Sequence, residues 1–166
     1  MSLEELNTLP RDQAEARFRD CCAARPWVQG MVDNRPYASR EAMMEQSQRL
    51  WPTLTESDWL QAFEAHPKIG DVDSLRRKYA STKALASGEQ AGARQAPEAV
   101  LRRLKADNDA YQQKFGFIFI VCATGKSAEE MLELLEARLP NTREQEIANA
   151  AREQAKITEL RLEKLA

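Results

Sequence analysis

The single histidine of the chain, His66, is the residue best suited to move a proton between groups. Histidine is the side chain whose unperturbed pKa lies nearest physiological pH, so it can act as an acid or as a base there. Pro67 follows, and the residue before a proline is disfavoured in a helix, so we expect the ring at a helix end beside a turn. A second interpretation stays open, in which His66 only interacts favourably with the dipole of its own helix.

Polar side chains form a second group from Ser87 to Gln90, where the helical pattern is loosest. Ser87 offers a hydroxyl, Glu89 a carboxylate and Gln90 an amide, which together could orient a histidine or bind a polar ring. A serine followed three residues later by a glutamine also has the spacing of a helix start. The two interpretations are compatible, and the sequence leaves both open.

Arg161 lies four residues after Ile157 and four before Leu165, so on a helix the three side chains share one apolar stripe. A guanidinium buried on that stripe needs an anion, and it could clamp a substrate carboxylate through two parallel hydrogen bonds. In the commoner arrangement, an arginine lays its stem along the core and turns its charged head to solvent.

Metal and acyl-enzyme chemistry are not indicated by the sequence. One histidine and three scattered cysteines provide no zinc-ligand pair, so we expect no metal and no disulfide framework. The Gly-x-Ser-x-Gly pattern is absent, and nothing in the sequence around Cys122 indicates an activated thiol. The sequence assigns no role to the neighbouring Cys21 and Cys22.

Length and composition favour one globular domain spanning residues 1–166, because 43% of the residues are hydrophobic and 30% are charged. The formal net charge is -2 with acids and bases interspersed, so a nucleic-acid partner is not expected. The start resembles no secretory signal, and the longest apolar run is shorter than a membrane span. We therefore expect a cytoplasmic protein that does not bind a membrane.

Helix starts are marked repeatedly by a serine or threonine followed three residues later by an acid or amide. These pairs are Ser2 with Glu5, Thr55 with Asp58, Ser127 with Glu130, and Thr142 with Gln145. Ser39 is predicted to cap a further helix, and Pro97 to open a long one that closes at Gly116. The pattern predicts an all-α fold, a single-domain helical bundle.

One apolar segment, Phe117–Ala123, does not fit the helical pattern. Its β-branched and aromatic residues would favour a buried strand, but no partner strand is evident in the sequence. An unpaired strand leaves backbone donors and acceptors unsatisfied. We therefore expect extended backbone that meets a ligand or packs between helices.

Four motifs in register resemble the 2-oxo-4-hydroxy-4-carboxy-5-ureidoimidazoline (OHCU) decarboxylase family. They are His66–Gly70, Gly88–Gly92, Phe115–Ala123 and Lys156–Leu162, and the turn Asn34–Tyr37 is similar as well. The resemblance covers essentially the whole chain. It implies an all-helical, cofactor-free homodimer that converts OHCU to (S)-allantoin and carbon dioxide in urate breakdown.

The resemblance also implies roles for individual residues. His66 would be the catalytic acid or base, with Glu89 as the second catalytic residue. Glu89 and Gln90 would hold the ring of the substrate and orient the histidine. The other residues that would bind substrate are Pro67, Ser87, Phe119, Ile120, Val121, Cys122, Ala123 and Arg161. Many family members carry a serine three residues before the glutamate, where this chain has Ala86, so the assignment of Ser87 is the least direct.

Two other functions fit parts of the sequence. Capped amphipathic helices alone are also typical of a non-catalytic interaction module, which would not need these polar residues to meet. Another cofactor-free enzyme of ureide metabolism, such as a hydrolase or a racemase, could use the same acid and base.

Overall fold

The computed structural model describes residues 1–68, 72–77 and 98–166, and these residues are mainly helical, with no β-strand among them. The prediction of an all-α fold is confirmed. The helices are α1 (Leu3–Thr8), α2 (Arg11–Cys21), α3 (Arg25–Asp33), α4 (Arg40–Leu50), α5 (Glu56–Glu64), α6 (residues 72–77), α7 (Glu98–Phe115), α8 (Ala128–Arg138) and α9 (Arg143–Leu165), with a 3-10 turn at Trp51–Thr53.

The predicted caps lie where the helices begin. The side chains of Ser2, Thr55 and Ser127 each accept a hydrogen bond from the backbone three residues ahead, which satisfies a donor that the first helical turn leaves free. The backbone N–H of Gln145 donates to Thr142 Oγ1 over 3.1 Å in the same way at the start of α9. Helix α3 was not predicted as a separate element, although a proline stands in its first turn.

The contacts between residues group into two compact units. Unit 1 comprises Met1–His66 and Ile147–Ala166, and unit 2 comprises Pro67–Glu146. The expectation that residues 1–166 act as one domain stays a prediction. None of the described helices is both long and apolar enough to cross a membrane.

Unit 1 is built around tryptophans, and it contains all three of the chain, Trp27, Trp51 and Trp59. The ring of Trp27 meets Phe18 edge to face, with 6.0 Å between the ring centres. Its indole N–H donates to Ser47 Oγ over 3.0 Å, and that of Trp51 donates to the carbonyl of residue 151 over 2.9 Å. Buried indole nitrogens are therefore satisfied, as a stable core requires.

The turn Asn34–Tyr37 has a structural role in unit 1. The Arg35 guanidinium donates to the carbonyls of Leu6 and Leu9 over 2.9 and 2.8 Å, which satisfies acceptors at the end of α1. Asn7 hydrogen-bonds both the N–H and the carbonyl of Tyr37. These bonds hold α1 to the turn.

Unit 2 has an aromatic cluster beside the apolar segment. Tyr111 contacts Phe115, Phe117 and Phe119, with ring centres 4.5, 5.8 and 5.3 Å away. Gly116 lies at the end of α7 with φ of +85°, a backbone conformation that a side chain would strain. This residue turns the chain out of α7 and into the segment that contains Phe119.

Candidate active site

His66 lies just beyond the end of α5, as its place before Pro67 predicts. Its backbone N–H donates to the carbonyl of Phe63 over 3.2 Å, which fixes the last turn of the helix. The ring is half-buried, and its Nε2 lies 2.5 Å from Oε1 of Gln154, a residue of α9 with no exposed surface. The histidine is therefore held by a second helix of unit 1.

The surroundings of His66 favour the neutral imidazole. Burial lowers the pKa of His66 below its usual 6.5, because the charged form loses solvation. The hydrogen bond to Gln154 raises this pKa in part, and the positive charge of Arg161 lowers it further. At neutral pH the ring is uncharged and can accept a proton, which is the state that a general base needs.

Arg161 has the commoner of the two arrangements that the sequence left open, with its charged head toward solvent. Its side chain is exposed and Ile157 and Leu165 are only half-buried, so these three residues do not form the buried stripe of the helix. The buried stripe of α9 runs instead through Gln154 and Thr158 to Leu162. The Arg161 guanidinium lies near His66, whose pKa it lowers, and its Nη1 donates to the carbonyl of Cys21 over 3.5 Å. The exposed head group has further donors that can meet an anion.

Cys21 and Cys22 are buried and both contact α9, since the Cys21 carbonyl accepts from Arg161 and the Cys22 thiol hydrogen-bonds Thr158. Burial raises the pKa of Cys21 to about 12 and that of Cys22 to about 11, against smaller lowering effects that include the charge of Arg161. The thiolate is the reactive form of cysteine, and it is suppressed at both positions. These residues are suited to packing rather than to nucleophilic catalysis.

The apolar segment has no regular secondary structure over residues 118–123, as expected for a stretch without a partner strand. Ile120 is buried, and its carbonyl accepts a hydrogen bond of 2.7 Å from Arg138. The carbonyl of Cys122 accepts from Lys126 Nζ over 2.6 Å, and that of Ala123 accepts from the Lys126 backbone. Side chains and a turn therefore fix the backbone of this segment in place.

A buried ion pair that the sequence analysis missed holds the same segment. Glu146 is fully buried, and its Oε1 accepts hydrogen bonds of 2.6 Å from Arg138 Nε and from the Tyr111 hydroxyl. Its Oε2 accepts from Asn141 over 2.8 Å. The Arg138 guanidinium also stacks on the Phe119 ring, 4.7 Å from its centre. This cluster connects α7, α8 and the start of α9 to the apolar segment.

The remaining predicted site residues are located as follows. Pro67 is exposed, and Val121 is half-buried. Ser87, Glu89 and Gln90 lie outside the described residues, so their roles stay predictions. Among residues 1–68, 72–77 and 98–166, no group of three or more histidine, cysteine or acidic side chains is placed to hold a metal ion.

Comparison with known proteins identifies the family. A family model described as OHCU decarboxylase matches residues 7–163. The chain belongs to the OHCU decarboxylase family. This membership confirms the resemblance carried by the four sequence motifs.

Relatives of this OHCU decarboxylase family member include proteins of about twice its length and proteins of similar length. The uric acid degradation bifunctional protein TTL of Arabidopsis thaliana is 35% identical over 151 residues, which cover 91% of this chain and 47% of that protein. The 2-oxo-4-hydroxy-4-carboxy-5-ureidoimidazoline decarboxylase of Amia calva is 27% identical, with 98% of this chain and 93% of that protein covered. The chain thus spans about half the length of the first relative and most of the second.

A solved structure of the same family has a similar fold. The crystal structure of OHCU decarboxylase in the presence of (S)-allantoin matches this chain with a TM-score of 0.71 at 34% sequence identity. The match covers 89% of this chain and 95% of that one.

Proposed function

We propose that this protein decarboxylates OHCU to (S)-allantoin and carbon dioxide, with His66 as the proton-transfer residue. The observation that carries the proposal is the state of this histidine, which is neutral, half-buried and hydrogen-bonded to a fully buried amide. A histidine that only favoured its helix dipole would be charged and solvated. Membership of the family supports the choice of substrate.

The reaction requires a proton to move at two places. When the bond between the ring carbon and the carboxylate breaks, carbon dioxide leaves, and the electron pair enters the conjugated C=N and C=O groups of the ring. The hydroxyl then loses its proton as it becomes a carbonyl, and the neighbouring ring carbon gains a proton. The substrate supplies its own electron sink, which is the task that a cofactor performs in most decarboxylases. Neutral His66 takes up the first proton, and delivery of the second from one face sets the (S) configuration.

Charge that develops on the ring needs hydrogen-bond donors fixed in advance. We assign this task to backbone N–H groups of residues 119–123. The carbonyls of Ile120, Cys122 and Ala123 accept hydrogen bonds from within the protein, which supports a fixed backbone in this segment. A fixed backbone stabilises charge without the cost of reorganisation during the reaction.

The remaining assignments of this proposal follow the family resemblance. Arg161 pairs with the substrate carboxylate, which its exposed guanidinium is able to meet. Glu89 and Gln90 hold the ring of the substrate and help to orient His66, and Ser87 and Pro67 line the site. The proposal includes a homodimer that acts in the cytoplasm without a cofactor.

To test the proposal, OHCU is generated in solution from urate by the two enzymes that precede the decarboxylase in urate breakdown. The optical activity of the product is then followed by circular dichroism. We expect the protein to produce an (S)-allantoin signal faster than the spontaneous decay, which gives a racemic product. His66→Asn should lose most of this activity, since general acid–base catalysis contributes about 10²–10⁴-fold.

Glu64→Gln is the matched control, because Glu64 is an exposed residue at the end of the same helix. It should retain wild-type turnover. If the folded wild-type protein leaves the spontaneous decay unchanged, the decarboxylase proposal is wrong. If His66→Asn turns over at the wild-type rate, the activity stands but the role of His66 does not.

A further inference from the structure

Two polar side chains lie on the buried stripe of α9, where apolar residues would be expected. Gln154 has no exposed surface and Thr158 is 3% exposed. Burying an amide or a hydroxyl costs free energy unless its hydrogen bonds are satisfied. A hydrogen bond of 3.1 Å joins Gln154 Nε2 to Thr158 Oγ1, and the other end of the same amide meets His66. These residues thus form a series of hydrogen bonds that ends at His66, the one histidine of the protein.

The donors and acceptors available fix the direction of these hydrogen bonds. The Thr158 hydroxyl hydrogen-bonds the Cys22 thiol and lowers its pKa, as a donor to the sulfur does, so its one hydrogen is directed at Cys22 and its oxygen accepts from the Gln154 amide nitrogen. The amide nitrogen therefore points to Thr158, and the amide oxygen points to His66. An amide oxygen carries no hydrogen and can only accept. The hydrogen between the two side chains must then be on Nε2 of His66.

We infer that Gln154 and Thr158 are positioning residues that hold neutral His66 in the tautomer with its hydrogen on Nε2. The lone pair of the ring is then on Nδ1, and Nδ1 is the nitrogen that exchanges a proton with the substrate. The position of the hydrogen on Nε2 is a property of the free protein alone. The role of Nδ1 in proton exchange rests on the proposed function. Neither residue touches the reacting atoms, since both act through the imidazole.

The charged and titratable groups near this ring do not provide the same restraint. Among the described residues, Arg161 is the charged group that acts on the His66 ring, and as a cation it offers no acceptor for Nε2–H. The thiols of Cys21 and Cys22, which lie near Arg161, are protonated at neutral pH. The Gln154 oxygen is the partner that the structure gives to Nε2, at 2.5 Å. Fixing the hydrogen of a histidine through its second nitrogen is how proteins commonly set which nitrogen is available.

The tautomer can be measured directly, because the chain has one histidine. Full-length protein with ¹⁵N-labelled histidine, and with any histidine tag removed, gives an imidazole spectrum of His66 alone. In a long-range ¹H–¹⁵N correlation recorded above the pKa of the ring, we expect Nε2 protonated and Nδ1 unprotonated. A ring with its hydrogen on Nδ1 would overturn the inference, whether or not the protein turns over OHCU.

Variants test which residues hold the tautomer. Gln154→Leu removes the acceptor, and Thr158→Val removes the hydroxyl that orients the amide while keeping a similar shape. In both, we expect imidazole nitrogen shifts displaced toward the average of the two tautomers. We also expect kcat to fall by about 10–100-fold with little change in KM, the usual cost of losing the group that orients a functional histidine. Circular dichroism checks the fold, and Thr158→Val serves as the test if Gln154→Leu does not fold.

Gln48→Leu is the matched control for these variants. Gln48 is an exposed glutamine of unit 1 whose amide donates to Glu159 over 2.6 Å, so the same substitution there removes an amide that is not bonded to His66. Its imidazole spectrum should equal that of the wild type. Folded Gln154→Leu and Thr158→Val proteins with wild-type imidazole shifts and wild-type kcat would refute the positioning role.

Discussion

The ion pair of Arg138 and Glu146 allows a sharp test of what burial does to a charge. A second pair in unit 2, Arg103 with Glu136, has the same N–O distance of 2.6 Å. The side chains are 12% and 0% exposed in the first pair and 62% and 40% exposed in the second. Replacing each glutamate by glutamine removes one charge at nearly constant shape, so the two variants differ in burial and in the hydrogen bonds that Glu146 also accepts from Tyr111 and Asn141.

The expected free-energy costs differ several-fold. Glu146→Gln leaves the Arg138 charge in a poorly solvated site, and removal of one partner from a buried pair costs about 3–5 kcal/mol. Glu136→Gln removes an exposed pair, which contributes about 0–1 kcal/mol. Burial and, to a smaller extent, repulsion by Glu136 raise the pKa of Asp107, so neutralising Glu136 relieves an unfavourable contact and reduces the net cost further.

Urea unfolding followed by far-ultraviolet circular dichroism measures both costs. With a slope of about 2 kcal/mol per molar urea, Glu146→Gln should lower the midpoint by about 1.5–2.5 M. Glu136→Gln should lower it by less than about 0.5 M. Equal midpoint shifts for the two variants would refute the reasoning, because Glu146 is buried among further hydrogen-bond partners whereas the second pair is exposed.

Two further predictions concern pKa values in unit 1. Because the pKa of His66 is lowered in the folded protein, its stabilising contribution is present above the unfolded pKa near 6.5 and is lost as the pH falls through the folded pKa. Activity should fall in that same acidic range. We therefore expect kcat/KM and the urea concentration of half-unfolding, each plotted against pH, to fall with an apparent pKa below 6.5. An apparent pKa above 6.5 would contradict the lowered pKa of His66. Native protein treated with iodoacetamide at mildly alkaline pH should be labelled at half-exposed Cys122 before Cys21 and Cys22, whose thiols are buried with raised pKa values. Mass spectrometry of the digested protein measures the order, and labelling of Cys21 as fast as Cys122 would argue against it.

Local signals in the sequence predict much of the fold, because helix starts depend on neighbouring residues. The pairs Ser2 with Glu5 and Ser127 with Glu130 form capping boxes at the first residues of α1 and α8. The end of α5 is likewise predicted by a neighbouring residue, Pro67. Helix α3 was missed because its N-cap, Ala24, makes no side-chain hydrogen bond, so its start carries no capping signal in the sequence.

The site was predicted less completely, because burial depends on residues far apart in the chain. Glu146 stands in the first turn of α9, where an acid is ordinarily exposed and favoured by the helix dipole. Its burial depends on Tyr111 and Arg138, which belong to other helices. No local pattern identifies such a partner.

Gln154 and Thr158 could have been found from the sequence. They continue the spacing of Ile147 and Ala151, and Leu162 follows at the same interval, so all five lie on one face of α9. A polar residue on an apolar stripe is the informative exception in such a pattern. Arg161, which shares the spacing of Ile157 and Leu165, is displaced from the buried face and is exposed.

The placement of the three tryptophans gives the molecule a built-in fluorescent reporter of one unit. All of them belong to unit 1, so intrinsic fluorescence reads the unfolding of that unit, whereas the helical dichroism signal reads both. Unfolding curves that coincide in the two signals are the mark of a single cooperative transition. The same unlabelled sample can therefore show whether a chain with two groups of contacts melts as one body or in two steps.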